Sequence, residues 1–182
     1  MLKAMDVANY FIDVGVLLGQ DDMTNMRVNK LLYFAQGRHL AKTGKPLFDE
    51  DIEAWKYGPV VKNVYQTLKD NKDKNISVPY GEYSIEIFTP EQRQILLEVV
   101  SKYNRLVTSY LVALSHAAGS PWDLAFSSGN DNTIQKEDLK KYFTDCMDAD
   151  SDNECPPSDV GETYFDEDGY TVFPKEWDDG DW

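Results

Sequence analysis

The densest group of side chains with acid–base chemistry in this chain is a cluster of four carboxylates within five residues. They are Asp49, Glu50, Asp51 and Glu53, and they lie just before Trp55. Two such carboxylates could share a proton and act as a general acid and a general base. Adjacent acids at the start of a strand are usually a solvated surface, however, because unpaired charges favour water. We therefore interpret the cluster as exposed charge.

The histidines and cysteines form no recognisable metal-binding pattern. The two histidines, His39 and His116, are not accompanied by the paired His or Cys spacing that binds zinc. We expect both to be hydrogen-bonded structural residues. The only cysteines, Cys146 and Cys155, lie at or beyond the end of the helical part, so we expect no disulfide framework.

Sequence motifs of enzymes are also missing. The chain has no nucleophile elbow, no glycine-rich phosphate loop, and no Ser or Cys with a His at an interpretable spacing. We therefore predict that the protein is not an enzyme and that it uses no metal or other cofactor.

Charge divides the chain into a neutral part and an acidic part. Residues 1–144 carry 17 Lys and Arg against 18 Asp and Glu, whereas residues 145–182 carry 1 against 14, within a net charge of −14. A part without a basic excess cannot neutralise many phosphates. We therefore do not expect direct nucleic-acid binding.

Hydropathy indicates a cytoplasmic protein. No run approaches the roughly 18 consecutive apolar residues of a membrane span. The N-terminus is amphipathic, with Asp6 and Asp13 in its pattern, and it lacks the charged-then-apolar layout of a signal peptide. We therefore expect no membrane association.

One helix, Met26 to Ala41, is expected to lie at the centre of the fold. Its apolar residues form two neighbouring stripes at helical spacing, which is typical of a helix with neighbours on several sides. The first stripe contains Val28, Leu31, Leu32 and Ala35, and the second contains Tyr33, Phe34, Gly37 and Leu40. Only Asn29, Lys30, Gln36 and Arg38 are then left to reach water.

The other elements are shorter, and their boundaries follow from periodicity and capping residues. Helices are predicted at about Ala4–Leu18, from Gly58-Pro59 to Leu68, from Thr89-Pro90 to Tyr103, at Ser109–His116, at Ser120–Phe126 and at Lys136–Met147. Short strands are predicted at Ile52–Trp55 and Tyr83–Ile87, and they could pair antiparallel. The fold class is therefore mainly α with a small two-stranded antiparallel β element, a helix-dominated α+β domain.

Residues 148–182 differ from the rest because they are acidic and unusually rich in aromatic residues. Asp168-Gly169 lies between two extended runs, which is the sequence of a tight β-hairpin. We therefore predict a helical domain at 1–147 and an acidic C-terminal extension at 148–182 that has the sequence of a hairpin.

Three blocks of this sequence resemble the Panacea domain of SocA-like antitoxins and of the similar "phage-associated" GepA-like proteins. They are KLLYFAQGRHLAKTGKPLFDEDIEAWKYGPVVKNVY at 30–65, LSHAAGSPW at 114–122 and IQKEDLKKYF at 134–143. The matching residues are of the types that a fold needs and are interpreted as mainly structural. They are Leu31, Tyr33, Phe34, Gln36, Gly37, Leu47, Ile52, Ala54, Trp55, Gly58, Pro59, Val60, Tyr65, Leu114, His116, Pro121 and Trp122.

The resemblance implies an antitoxin that neutralises a cognate toxin, encoded by an adjacent gene, through direct protein–protein binding. For the SocA-like branch it implies a different mechanism, in which the antitoxin is an adaptor that delivers its toxin to a protease. It implies nothing about the acidic extension, which lies outside the domain.

Three interpretations of the extension remain open. It could pack on the body against Lys56, Lys62, Lys69 and Lys72, or it could capture the toxin with its aromatic residues while its acids cover a basic site. It could also mimic nucleic acid in a phage anti-defence protein. The residues that we expect to contact a partner are Lys56, Lys62, Lys69, Tyr164, Phe165, Tyr170, Phe173, Trp177 and Trp182.

Overall fold

The computed structural model describes residues 2–129 and 132–148, together with the backbone of residues 164–165 and 171–172. The helices in this part are α1 (Ala4–Leu17), α2 (Asn25–Thr43), α3 (Lys62–Leu68), α4 (Pro90–Tyr103), α5 (Thr108–Ser115), α6 (Pro121–Ser128) and α7 (Lys136–Asp148). The strands are β1 (Ile52–Trp55), β2 (Gly58–Val60), β3 (Thr133–Ile134), β4 (Tyr164–Phe165) and β5 (Thr171–Val172). The predicted helix-dominated fold with a small antiparallel sheet is confirmed.

Helix α2 is the central element, as the sequence predicts. The hydroxyl of Thr24 caps its start by accepting from the N–H of Arg27, and Gly44 ends it in the left-handed conformation at φ 71°. Helices α1, α3, α4, α5 and α7 all pack on it. Because it is enclosed on so many sides, α2 buries polar as well as apolar residues.

Three of the four α2 residues that we expected to reach water are buried instead, and only Arg38 is partly exposed. Asn29 and Lys30 are 1% exposed and Gln36 is fully buried. The amide of Gln36 donates to the carbonyl of Phe48 over 2.9 Å and accepts from the N–H of Leu47 over 2.8 Å. Polar groups can be buried when they are hydrogen-bonded. Gln36 therefore fastens the loop after α2 to the helix.

The small sheet has three strands in the order β2-β1-β3, and all neighbours are antiparallel. Trp55 is opposite Gly58 across a two-residue turn, and Ile52 is opposite Ile134. The partner of β1 is therefore the strand directly after it, with β3 on its other side. Strand β3 was not predicted from the sequence.

The predicted helix start at Gly58-Pro59 is wrong, because these residues lie in β2 and α3 begins at Lys62. Gly58 has φ 105°, which turns the chain back along β1. Pro59 lies in an edge strand, where the missing N–H is tolerated. The Gly-Pro pair therefore begins the second strand of a hairpin and does not start a helix.

The predicted strand at Tyr83–Ile87 is also wrong. Ile85–Ile87 form a 3-10 helix that begins at Ser84, whose hydroxyl accepts from the N–H of Glu86. Ile85 and Ile87 are 44% and 45% exposed. The alternation of apolar and polar residues predicted a strand, but none of the described strands pairs with this segment.

Helices α4 and α6 begin at their predicted capping residues. Thr89 and Gln92 form the reciprocal capping box of α4, and the hydroxyl of Ser120 accepts from the N–H of Asp123 at the start of α6. Helix α7 packs closely on α2, with the ring of Phe143 against Gly37, where even a methyl group would overlap the ring.

The acidic extension contains one described feature, an antiparallel pair of short strands. Tyr164 is opposite Val172 and Phe165 is opposite Thr171. This pairing agrees with the predicted hairpin, although Asp168-Gly169 lie outside the described residues.

The described residues give three further findings, on a disulfide bond, on membrane-spanning helices and on metal-binding groups. Cys146 is disulfide-bonded, contrary to our expectation from the position of both cysteines at or beyond the end of the helical part, and its partner lies outside the described residues. A single disulfide requires only two thiols that meet, and a position beyond the helical part does not prevent that. None of the described helices is long and apolar enough to cross a bilayer, and no metal-binding group of His, Cys, Asp or Glu occurs in the same part of the chain.

Candidate partner-binding groove

A groove of about 470 Å³ lies between the N-terminal half of α2, strand β2 and the segment around the end of α3. Its volume is in the range of pockets that hold small ligands, about 300–1,000 Å³. The lining residues are Asn25, Met26, Asn29, Lys30, Val60, Tyr65, Lys69, Lys72 and Asp73. We call this feature the α2–α3 groove.

The walls of the α2–α3 groove are fixed by hydrogen bonds between their own residues. The side-chain amide of Asn25 donates to the carbonyl of Tyr65 over 3.2 Å. Asn29 donates to the side chain of Asn25 over 2.9 Å and accepts from the N–H of Val61 over 2.9 Å. These bonds join α2 to α3 and to Val61, the residue between β2 and α3, so the groove is formed before any partner binds.

Apolar and basic side chains dominate the accessible surface of the groove. Met26, Val60 and Tyr65 supply the apolar contacts, while Lys69 and Lys72 are exposed beside them. Asp73 is the only carboxylate among the lining residues. This combination suits a peptide segment that carries aromatic and acidic residues.

Lys30 lies at the base of the groove. Its ammonium nitrogen donates to the carbonyl of Pro59 over 3.3 Å. Burial lowers the pKa of Lys30 to about 7, because the charged amine loses its hydration. A Cβ added at Gly58 would lie 2.6 Å from the Cε of Lys30, so glycine is needed there for space as well as for its positive φ.

The first two blocks that resemble the Panacea domain contact each other through Trp55, His116 and Trp122. The indole N–H of Trp122 donates to the carbonyl of Trp55 over 2.9 Å. The ring of His116 lies 3.7 Å from that of Trp122, and burial, with a contribution from Lys30, lowers the pKa of His116 to about 3. His116 is therefore neutral at physiological pH.

Most of the motif residues are buried. Only Trp55, Tyr65 and His116 among them are partly exposed. Of these three, Tyr65 lines the groove, where its ring packs edge-on against Trp55 at 5.0 Å. Tyr65 is thus the motif residue that is best placed to contact a partner.

The lysines that we predicted to contact a partner do not all lie together. Lys69, the residue directly after α3, lines the groove, and Lys62 is exposed at the first position of α3. Lys56 lies in the turn between β1 and β2, 5.4 Å from the ring of Tyr57. The predicted aromatic residues of the extension lie outside the side chains that the structure describes.

The acidic cluster before β1 has mainly structural contacts. Both carboxylate oxygens of Glu50 accept from the N–H of Ala4 over 3.1 Å, at the start of α1. Glu53 accepts from the indole N–H of Trp55 over 2.7 Å. Asp49 and Asp51 are exposed, and Asp51, at 69% exposure, lies 3.7 Å from the ammonium nitrogen of Lys136, so the interpretation as solvated charge applies to half of the cluster.

Sequence patterns did not reveal the groove, because its residues come from three separate segments. One signal was available, since Asn25 and Asn29 are one turn apart on α2 and Lys30 follows them. We interpreted Asn29 and Lys30 as solvent-exposed, whereas they bond to Val61 and Pro59 and so anchor residues 59–61 to α2.

Comparisons with known proteins identify relatives over most of the described part. A family model for the SocA-like antitoxin, Panacea domain, matches residues 28–123. Antitoxin SocA from Caulobacter vibrioides (strain NA1000 / CB15N) is 36% identical over 133 residues, which cover 68% of this chain and 70% of that protein. No solved structure matches. The family match includes every residue that lines the groove except Asn25 and Met26.

Proposed function

Because the chain belongs to the SocA-like antitoxin family with the Panacea domain, we propose that it is an antitoxin that holds a cognate toxin inactive by direct protein–protein contact. The observation that carries this proposal is the match to the family over residues 28–123, together with the similarity to Antitoxin SocA. We further propose that the adjacent gene encodes the toxin.

The α2–α3 groove supports direct contact, since it is a preformed concave surface. Its apolar walls offer area to bury, and its two exposed lysines offer charge to steer an acidic segment. Lys62 extends the basic surface along α3. We propose that these residues, Lys56 and the aromatic residues of the extension are the parts that meet the toxin.

Coexpression with the neighbouring open reading frame tests this function. We expect the neighbour alone to stop growth and this protein to restore it. The charge-reversed groove variant Lys69→Glu/Lys72→Glu should lower the surviving colony count at least about tenfold, in proportion to weakened binding. The matched variant Lys45→Glu/Lys141→Glu, at exposed lysines outside the groove, should protect like the parent at equal protein levels.

Two different failures are distinguishable in this assay. A neighbour that is harmless alone, or lethal beside the parent protein, contradicts the antitoxin function. Equal protection by both double variants contradicts only the assignment of the groove as the contact surface.

A second mechanism, proteolytic delivery of the toxin, is favoured by the similarity to Antitoxin SocA, because the SocA-like branch implied an adaptor. It predicts that the toxin's half-life shortens when this protein is coexpressed. Simple inhibition predicts an unchanged or longer half-life, because binding protects a folded partner. A chase experiment with immunoblotting of the toxin, with and without this protein, separates the two.

A further inference from the structure

We propose that the α2–α3 groove binds residues 176–182, the last residues of the extension, within the same molecule. This segment has the sequence EWDDGDW and lies outside the described residues. Four steps support it: the direction of α7, the face of α2 on which the groove lies, the chemistry of the groove and the position of strands β4 and β5.

Helix α7 runs antiparallel to α2. Lys140 near its middle has its amine 3.6 Å from the Cβ position of Gly44, at the C-terminal end of α2. One turn later the ring of Phe143 packs against Gly37, with its centroid 5.7 Å from that of Tyr33. The contacts therefore move toward the start of α2 as α7 approaches its end.

The contact with α7 and the groove share one face of α2. Met26, Lys30, Tyr33 and Gly37 follow one another at spacings of four and three residues, so they form a single stripe. Asp148 is five positions after Phe143, which corresponds to a rise of about 7.5 Å along α7 and brings the end of α7 level with Lys30. The last turn of α7, which directly precedes the extension in the sequence, is therefore level with the base of the groove along the axis of α2.

The segment and the groove are complementary in chemistry. Residues 176–182 contain two tryptophans, four carboxylates and no basic residue. The groove offers Met26, Val60 and Tyr65 for an indole, and Lys69 and Lys72 for the carboxylates. Tethering to the same chain raises the local concentration of such a segment to about the millimolar range, so a weak contact is enough.

The earlier aromatic residues of the extension are less suited to the groove. Tyr164–Phe165 and Thr171–Val172 use their backbones to pair with each other as β4 and β5. Residues 176–182 follow this pair and contain both tryptophans of the extension together with four carboxylates. They are therefore the segment that we assign to the groove.

Photo-cross-linking of the full chain tests the assignment. The variant Met26→p-benzoylphenylalanine carries the reactive group in the groove, and Leu97→p-benzoylphenylalanine, at an exposed position of α4, is the control. Trypsin cleaves after Lys141 and Lys175, so the peptides 142–175 and 176–182 are separated before mass spectrometry. We expect cross-links from position 26 to 176–182 and none from position 97.

Charge and isotope controls sharpen the result. Adding Lys69→Glu/Lys72→Glu should reduce the cross-linked yield at least about fivefold, whereas Lys45→Glu/Lys141→Glu should leave it unchanged. In a mixture of unlabelled and ¹⁵N-labelled chains, both cross-linked peptides should carry the same label. Cross-links only to 142–175, cross-links to a second copy, or no cross-link to the extension would each overturn the proposal.

This contact is independent of the antitoxin function, because the experiment contains no toxin. A failed cross-link leaves the coexpression result intact, and a failed coexpression leaves the cross-link intact. If both succeed, a toxin that uses the groove must displace residues 176–182.

Discussion

The substitution Arg27→Met is expected to lower the free energy of unfolding by about 3–5 kcal/mol, the range for breaking a buried charged network. The side chain of Arg27 is only 1% exposed. Its guanidinium donates to the carboxylate of Asp22 over 2.9 Å and to the carbonyl of Leu106 over 2.8 Å. It also donates to the carbonyls of Tyr103 and Asn104, over 3.2 and 3.0 Å. Methionine fills similar space but leaves these acceptors without their donor.

Equilibrium unfolding in urea measures this loss, and the chain supplies a matched control. Arg105 is exposed on the same segment whose carbonyls Arg27 binds, so Arg105→Met should change the midpoint very little. The variant Asp22→Asn should cost less than Arg27→Met, because the three carbonyl contacts remain. Equal midpoints for Arg27→Met and Arg105→Met would show that the buried guanidinium adds nothing to stability.

Local signals in the sequence predicted the elements whose ends are fixed locally. The capping box of Thr89 and Gln92 and the Ser120-Pro121 start were correct, because the interacting groups lie within one turn. Gly58-Pro59 carried a local signal too, but the pairing of β2 with β1 decided its structure. Ile85 and Ile87 alternate with polar residues as in a strand, but none of the described strands pairs with them.

Distant partners explain why the polar residues of α2 were misplaced. Gln36 bonds to residues 47 and 48, and Asn29 bonds to residue 61. Periodicity assigns such residues to solvent, since it assumes that polar groups seek water. The groove was hidden for the same reason, because its position depends on which polar residues of α2 are buried.

The second large effect concerns Lys30, for which Lys30→Met is expected to raise stability at pH 6 by about 2 kcal/mol. The amine is buried, and its pKa of about 7 lies well below the ordinary value of 10.5. At pH 6 the folded protein must therefore carry a buried charge, which methionine removes. The gain is partly offset because the carbonyl of Pro59 loses its donor.

The sign of the pH dependence follows from proton binding. Between pH 7 and pH 10.5 the unfolded state holds the Lys30 proton and the folded state releases it, so stability rises by up to about 1.4 kcal/mol per pH unit. Lys30→Met removes this slope, and its advantage in the free energy of unfolding should shrink by about 2–3 kcal/mol between pH 6 and pH 9.

Urea unfolding of the parent and of Lys30→Met at each pH measures this change. In the difference between their two free energies of unfolding, the contributions of groups that titrate alike in both proteins cancel. His116 is neutral in the folded parent over this range, and burial, which is the larger cause of its low pKa of about 3, is still present in Lys30→Met. For the control Lys62→Met, at an exposed lysine, the difference in the free energy of unfolding from the parent should not change with pH. If the difference for Lys30→Met is equally independent of pH, the amine of Lys30 is not desolvated.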